Sequence, residues 1–229
     1  MNKKSSYLRL PKNKLYRILF SIYEWLCALT NPVWWILDKR SKTILDVGCG
    51  QGYPMQMLNK MRKLESTGVD LFDEYLSEAK RLKTHNHYVK QDITKLMFPP
   101  DSFDTVMCLQ LIEHLPKKQG EMLLKKMEKI ARYQVIVATP LGYCDHPEMD
   151  DNHLQKHLSG WEDKDFLERG YIAKHQSLRI FFGNNGLVHK PISKPVKAAI
   201  FILDHLLTPV YFFFPKTADN GIVAYKRLR

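Results

Sequence analysis

Residues 44–52 read ILDVGCGQG, and residues 53–60 continue YPMQMLNK. The first half is apolar and runs on from Thr43, so Thr43 to Val47 predicts a buried β-strand. Asp46 stands near its end. Gly48, Gly50 and Gly52 then alternate directly ahead of a helix expected over Pro54 to Leu64, with proline near its start. Glycine at such a turn tolerates positive φ and lets a ligand approach the backbone, while the following helix offers its unsatisfied N–H groups to the same place.

Outward from that turn, strand and helix signals alternate. Strands are expected at Gly68 to Leu71, His87 to Lys90, Phe103 to Leu109 and Gln134 to Ala138, with helices at Asp73 to Leu82 and Lys117 to Ala131. The order β-α-β-α-β-loop-β-α-β predicts a parallel sheet with helices on both faces. In such a sheet the carboxyl ends of the strands share one edge, and ligands bind where the strand order reverses.

The composition agrees with one folded unit. The chain has 229 residues, 45% of them hydrophobic and 26% charged, a balance that can bury a core. Cys27, Cys49, Cys108 and Cys144 show no CxxC spacing. They read as reduced thiols of a cytoplasmic protein rather than a disulfide or zinc framework. The net charge of +11 is concentrated near one end: Met1 to Lys42 holds nine Lys or Arg against Glu24 and Asp38. Leu15, Ile18, Leu19, Ile22, Tyr23, Leu26 and Leu29 repeat at helical period within that region. Residues 1–41 are therefore expected to form a basic amphipathic helical extension, stopped near Asn31 and Pro32, and residues 42–229 the main domain. Arg17 and Glu24 interrupt the apolar run, which argues against a signal peptide.

The glycine spacing is GxGxG, whereas a dinucleotide cradle has GxGxxG. The later strand ends decide between ligands. The second strand ends in GVDLF, placing Asp70 about twenty residues after the glycines, where a carboxylate can accept from both hydroxyls of a ribose. QDI follows the third strand, so Asp92 can accept from an adenine amino group. The fourth strand enters FDTVMCLQLIEHL, whose residues from Gln110 to Leu115 form a loop on the same edge. Asp46 can hold the glycine turn and favour a nearby cation. Ribose acceptors, an adenine contact and negative potential without a pyrophosphate cradle suit S-adenosylmethionine better than NAD.

On these four motifs the chain resembles the class I S-adenosylmethionine-dependent methyltransferases, within the methyltransferase-11-like group. The resemblance covers Lys42 to Pro140 strongly and the remainder in outline. It implies a Rossmann-like α/β fold with a seven-stranded, mostly parallel sheet, closed by strands at Ile172 to Leu178 and Gly221 to Arg227. The cofactor-binding set it implies is Asp46, Gly48, Cys49, Gly50, Gly52, Asp70, Leu71, Asp92, Ile93 and Gln110. Within that set Cys49 reads as a small buried filler, and Asp92 has the alternative of capping a turn.

Methyl transfer is a direct displacement on a sulfonium carbon, so positioning accounts for much of the catalysis. An acceptor hydroxyl gains further from a general base. His114, just after the fourth strand, is the candidate base, with Glu113 to orient it; the alternative is a residue that closes the cofactor loop. The stretch HPEMDDNHLQKHLSGW follows the fifth strand and leads to a helix expected over Glu162 to Arg169, with Ser159 as N-cap and Gly170 ending it. His153, His157 and Trp161 are the substrate-side candidates. A metal site using His146, Asp150, His153 or His157 is conceivable, but too many interchangeable ligands are present to define one, and no metal is expected.

Residues 187–217 form an apolar insertion before the last strand, containing KPISKPVKAAIFILDHLLTPVYFFFPK. Lys197, Asp204, His205 and Pro209 interrupt it, so it is no clean membrane span. Its basic flanks Lys190, Lys194, Lys197 and Lys216 suit an anionic headgroup boundary. The alternatives are an internal hydrophobic layer or a homodimer contact. The expected activity is methyl transfer, at oxygen, to a small-molecule, lipid or lipid-linked acceptor. The expected location is cytoplasmic, either free or peripheral on the cytoplasmic face of a membrane. A non-catalytic cofactor-binding module is the first rival. An RNA methyltransferase is the second, and the interleaving of basic and apolar residues disfavours nucleic acid.

Overall fold

The structure is a computed structural model that describes residue 27 and residues 29–145, 152–183 and 185–229. The amphipathic helix expected over residues 15–29 lies outside the described residues apart from Cys27 and Leu29. His146 and Asp150 lie outside them too.

Seven strands form one sheet in the order β3-β2-β1-β4-β5-β7-β6. They are β1 (Thr43–Val47), β2 (Glu65–Asp70), β3 (His87–Lys90), β4 (Phe103–Leu109), β5 (Ala131–Pro140), β6 (Ile172–Gln176) and β7 (Gly221–Arg227). The first five are parallel, and β7 runs antiparallel to both β5 and β6. The strand order reverses between β1 and β4, so the glycine turn after β1 and the loop after β4 open beside each other.

The helices are α1 (Pro32–Ile36), α2 (Tyr53–Met61), α3 (Asp73–Leu82), α4 (Lys117–Ile130), α5 (Asp163–Leu167), α6 (Arg179–Phe182) and α7 (Lys194–Phe213). One buried layer packs α4, α5 and Trp161 against Val47, Val106, Val135 and Val137. On the other side Val33, Ile36, Met55 and Leu58 meet Ile44, Met107 and Ile136. Alternate residues of one strand thus serve two cores, the pattern of a sheet covered on both faces.

Element ends shift from expectation for local reasons. Arg62 turns to extended geometry and closes α2, and β2 then begins at Glu65, three residues before the glycine expected to open it. β5 starts at Ala131, which pairs with Phe103. Ser159 is not the N-cap of α5. Glu162 caps it, in a capping box with Asp165, and the Ser159 hydroxyl instead accepts from the Trp161 indole at 3.0 Å. Gly170 takes φ +77 beyond α5, the left-handed geometry expected of a helix end.

Candidate functional site

A cavity of about 480 Å³ opens over the carboxyl ends of β1, β2, β3 and β4, a size suited to a small organic ligand. Of the sequence-predicted set, Gly48, Cys49, Gly50, Asp70, Leu71, Asp92, Ile93, Gln110 and His114 all line it. These residues come from four separate strand ends, and the fold brings them together.

The turn after β1 is fastened from behind. The N–H groups of Gly48 and Cys49 donate to the Val69 carbonyl at 2.7 and 2.9 Å, and that of Gly50 to Asp70 Oδ2 at 2.8 Å. Gly50 sits at φ +53, and a Cβ there would meet nothing within 4 Å. Its backbone is therefore bare toward the cavity. Asp70 Oδ1 accepts from Phe72 N–H at 2.9 Å. Burial pushes the Asp70 carboxyl up, opposed by these backbone donors. A carboxylate has about four lone-pair sites, so each oxygen keeps capacity for a ligand hydroxyl.

Asp92 both caps and lines. Its Oδ1 accepts from Thr94 N–H at 2.9 Å and from the Thr94 hydroxyl at 2.7 Å, starting a short 3₁₀ turn. The Thr94 hydroxyl holds its carboxyl below the usual range. Gln110 adopts φ +53 and donates its N–H to the Ala138 carbonyl at 2.7 Å, which turns the chain sharply out of β4 toward the cavity.

Five members of the predicted sets, Asp46, Gly52, His153, His157 and Trp161, stand apart from the cavity wall. Asp46 is buried and its Oδ2 lies 3.0 Å from His85 Nε2, so it braces the layer beneath the turn. Gly52 caps α2 at φ +80, and a Cβ there would fall 2.1 Å from Thr84 Oγ1, so glycine is required by packing. Trp161 is 0% exposed, stacks near Phe166 and lies under the Lys117 ammonium at 3.9 Å. It belongs to the core. His153 opens an exposed 3₁₀ turn whose neighbours Asn152, Leu154 and Gln155, and not His153 itself, line the cavity. Cys49 fills the space over Gly68, where a Cβ would be 2.8 Å from its sulfur; burial pushes its thiol far up, consistent with an inert filler.

Behind His114 lies a cluster that sequence reading resolved only in part. Glu113 is 3% exposed and accepts from the Thr139 hydroxyl at 3.0 Å. Burial pushes its carboxyl up to about 7. One ligand-type atom from each of Glu113, His114 and His157 lies within 4.8 Å of the other two. His114 Nδ1 faces the Lys156 carbonyl at 3.2 Å, and His157 Nδ1 faces the Cys144 carbonyl at 2.6 Å. Carbonyls only accept, so each Nδ1 that faces one carries a proton. The arrangement can take up, share and pass a proton. The adjacent EH pair signalled Glu113 and His114, but nothing local could signal Thr139, which arrives from β5. Nor could it signal Asn152, Gln155 and Leu158, which line the cavity from the segment beyond β5.

Residues 44–134 match the family model described as a methyltransferase domain. Over 88 residues the chain is 31% identical to a sterol 24-C-methyltransferase of Neurospora crassa, an alignment spanning 36% of this chain and 23% of that protein. Over 84 residues it is 34% identical to a ubiquinone biosynthesis O-methyltransferase of Coxiella burnetii, spanning 35% of this chain and 36% of the relative. The chain thus covers about a third or less of the length of these curated relatives. Across nearly the whole chain the fold is similar to that of a SAM-dependent methyltransferase from Archaeoglobus fulgidus, with TM-score 0.58, 17% identity and coverage of 93% of this chain and 100% of that one. It is also similar to magnesium protoporphyrin IX methyltransferase from Synechocystis with bound SAM, with TM-score 0.52, 14% identity and coverage of 97% and 88%.

Proposed function

We propose that this chain, which has the class I methyltransferase fold and a methyltransferase domain over residues 44–134, transfers a methyl group from S-adenosylmethionine to an oxygen of a small-molecule or lipid-linked acceptor. The observation that carries the reading is the convergence of Gly50, Asp70, Asp92, Gln110 and His114 on one cavity at the reversal of strand order.

The donor set fits the cofactor. Asp70 has acceptor capacity left for a ribose diol, Asp92 for an adenine amino group, and the bare backbone at Gly50 admits close approach. Asp46 and Asp70 lend negative potential near a sulfonium. Bound there, S-adenosylmethionine supplies a methyl carbon open to direct displacement. The residues of the chain position and deprotonate. His114 stands on the cavity wall as the general base that accepts a hydroxyl proton, with Glu113 behind it to stabilise the imidazolium that results. His157 abuts His114 and limits its rotation. The apolar side chains of Leu111, Leu115, Leu154 and Leu158 along the cavity suit an acceptor with an apolar body. A sterol methyltransferase and a ubiquinone-pathway methyltransferase among the relatives support an acceptor of that kind.

The test is transfer of radiolabelled methyl from S-adenosylmethionine into a total membrane extract, fractionated into lipid, protein, RNA and soluble pools. Label in an extractable lipid or small molecule supports the reading. Tight cofactor binding with no label in any pool leaves a non-catalytic cofactor-binding module or an extract without the acceptor, which extracts from other sources separate.

A further inference from the structure

The twenty-residue helix α7 (Lys194–Phe213) is inverted relative to an ordinary surface helix. Ile200, Asp204, Thr208 and Tyr211, spaced by four, four and three residues, are its buried face. Asp204 Oδ2 accepts from the Ser177 hydroxyl at 2.8 Å, just beyond β6, and His205 Nδ1 lies 3.1 Å from the Thr30 hydroxyl. Asp204 and His205 therefore look inward. Its outward face carries Ile202, Leu203, Leu206 (58% exposed), Val210 and Phe213 (69% exposed), continued by Phe214. Water is a poor neighbour for so continuous an apolar stripe, and a soluble helix places its charges on this side.

Length and composition alone would let the helix cross a bilayer: residues 195–213 have a mean hydropathy of 1.5. The topology forbids it. β6 ends at Gln176 and β7 begins at Gly221, and these two residues are paired neighbours in one sheet. The connection must cross a bilayer twice or not at all. Only residues 214–220 follow α7, and seven residues fully extended reach roughly 24 Å, short of a hydrocarbon core of about 30 Å. Three of them, Pro215–Thr217, are already coiled into a 3₁₀ turn. On the other side, α6 and a second 3₁₀ turn, Leu187–His189, lie between β6 and α7 and carry Arg179 and His189.

We propose that α7 lies in the plane of a membrane, its Ile202–Leu206–Phe213 face sunk into the headgroup boundary of a leaflet that contains anionic lipid. The charge around it is complementary to that occupant. Lys190 before the helix and Lys216 after it are both exposed, and they bracket the apolar stripe as cations bracket an interfacial helix. A second copy of this chain would meet like charge with like. α6 extends the surface, since Ile180 is 64% exposed and Phe182 packs on Phe201 at 5.0 Å. The proposal is independent of the chemistry at the cavity.

Vesicle co-sedimentation tests it, using the full chain with phosphatidylcholine vesicles that contain or lack a quarter of phosphatidylglycerol. The expected result is partition onto the mixed vesicles, weaker binding to phosphatidylcholine alone, and release by high salt or alkaline carbonate. Leu206→Glu with Phe213→Ser should lower partition at least tenfold, and Lys190→Gln with Lys216→Gln on the order of fivefold per charge. Unchanged thermal unfolding and unchanged calorimetric affinity for S-adenosylmethionine would show that the variants fold. Equal partition of wild type and apolar-face variant would overturn the proposal. So would resistance to carbonate, which marks a span, or a stable dimer whose dissociation by Leu206→Glu shows that the face was covered by a second copy. Loss of cofactor binding in the wild type would instead strike the functional reading and leave the docking result standing.

Discussion

The rings of His114 and His157 meet edge to face with centroids 4.8 Å apart, although one follows β4 and the other lies beyond β5. Each is turned by a carbonyl on its Nδ1, and Glu113 sits within reach of both. Groups packed this way respond to one another's charge, so their contributions are not separable by single substitutions.

Replacing His114 by Ala should leave cofactor affinity within about twofold while lowering turnover by a factor of about 10² or more, the scale of general-base assistance. His157→Ala should lose less, and the double variant little more than His114→Ala alone. Single-turnover transfer of labelled methyl, beside calorimetry, reads both quantities. Full turnover by His114→Ala would remove it as the base.

Asp70→Ala should weaken cofactor binding by roughly tenfold to a hundredfold, the worth of charge-assisted hydrogen bonds. Part of that loss is indirect, because the same carboxylate holds the N–H groups of Gly50 and Phe72. Calorimetric titration checks it, and wild-type affinity in the variant would exclude Asp70 from the ribose site.

Glu113 has a folded-state pKa of about 7 against an ordinary 4.5, a difference worth about 3 kcal/mol. Between those values the folded chain keeps the proton and the unfolded chain has lost it. Stability should therefore fall as pH rises from about 4.5 to about 7 and level off above. Glu113→Gln removes this contribution, so urea midpoints of the variant should vary less across that window than those of wild type.

Gly52→Ala should cost about 1–3 kcal/mol, because the new methyl group collides with Thr84 and the residue must hold φ +80. The drop belongs to the unfolding temperature. Cofactor affinity should follow only through loosening of the turn, and a variant as stable as wild type would mean that Thr84 can move aside.

Removal of divalent cations tests what the Glu113–His114–His157 cluster handles. Turnover should survive dialysis against a chelator, as expected of a cluster that moves protons. Loss of turnover restored by one added cation would assign the three side chains as its ligands.

The convergence on one cavity was largely legible because each motif is local: GCG, GVD and QDI each sit at one strand end, and parallel pairing alone brings strand ends together. What escaped were residues whose roles depend on neighbours distant in sequence. The bracing contact of Asp46 shows only once His85 is seen beside it, and the packing demand on Gly52 only once Thr84 fills the space under it. Trp161 shares a motif with His157, yet Gly120 of α4 makes room for its ring in the core, where a Cβ would lie only 2.5 Å from it. An indole beside a substrate segment carries no sign in sequence of which way it faces. Similarly, the apolar pattern of α7 identified a helix, while its inversion depended on where Ser177 and Thr30 would stand.

The position of β7 between β5 and β6 has a consequence for how the chain is made. β6 hydrogen-bonds to β7 and to no other described strand. During synthesis, the first five strands can assemble as soon as they emerge, but residues 172–220 have no place on that sheet until Gly221–Arg227 follow them out. For that interval the greasy side of α7 is tethered to an unfinished edge. The last strand, which joins β6 to β5, thus acts as the latch that decides when this surface becomes fixed in position.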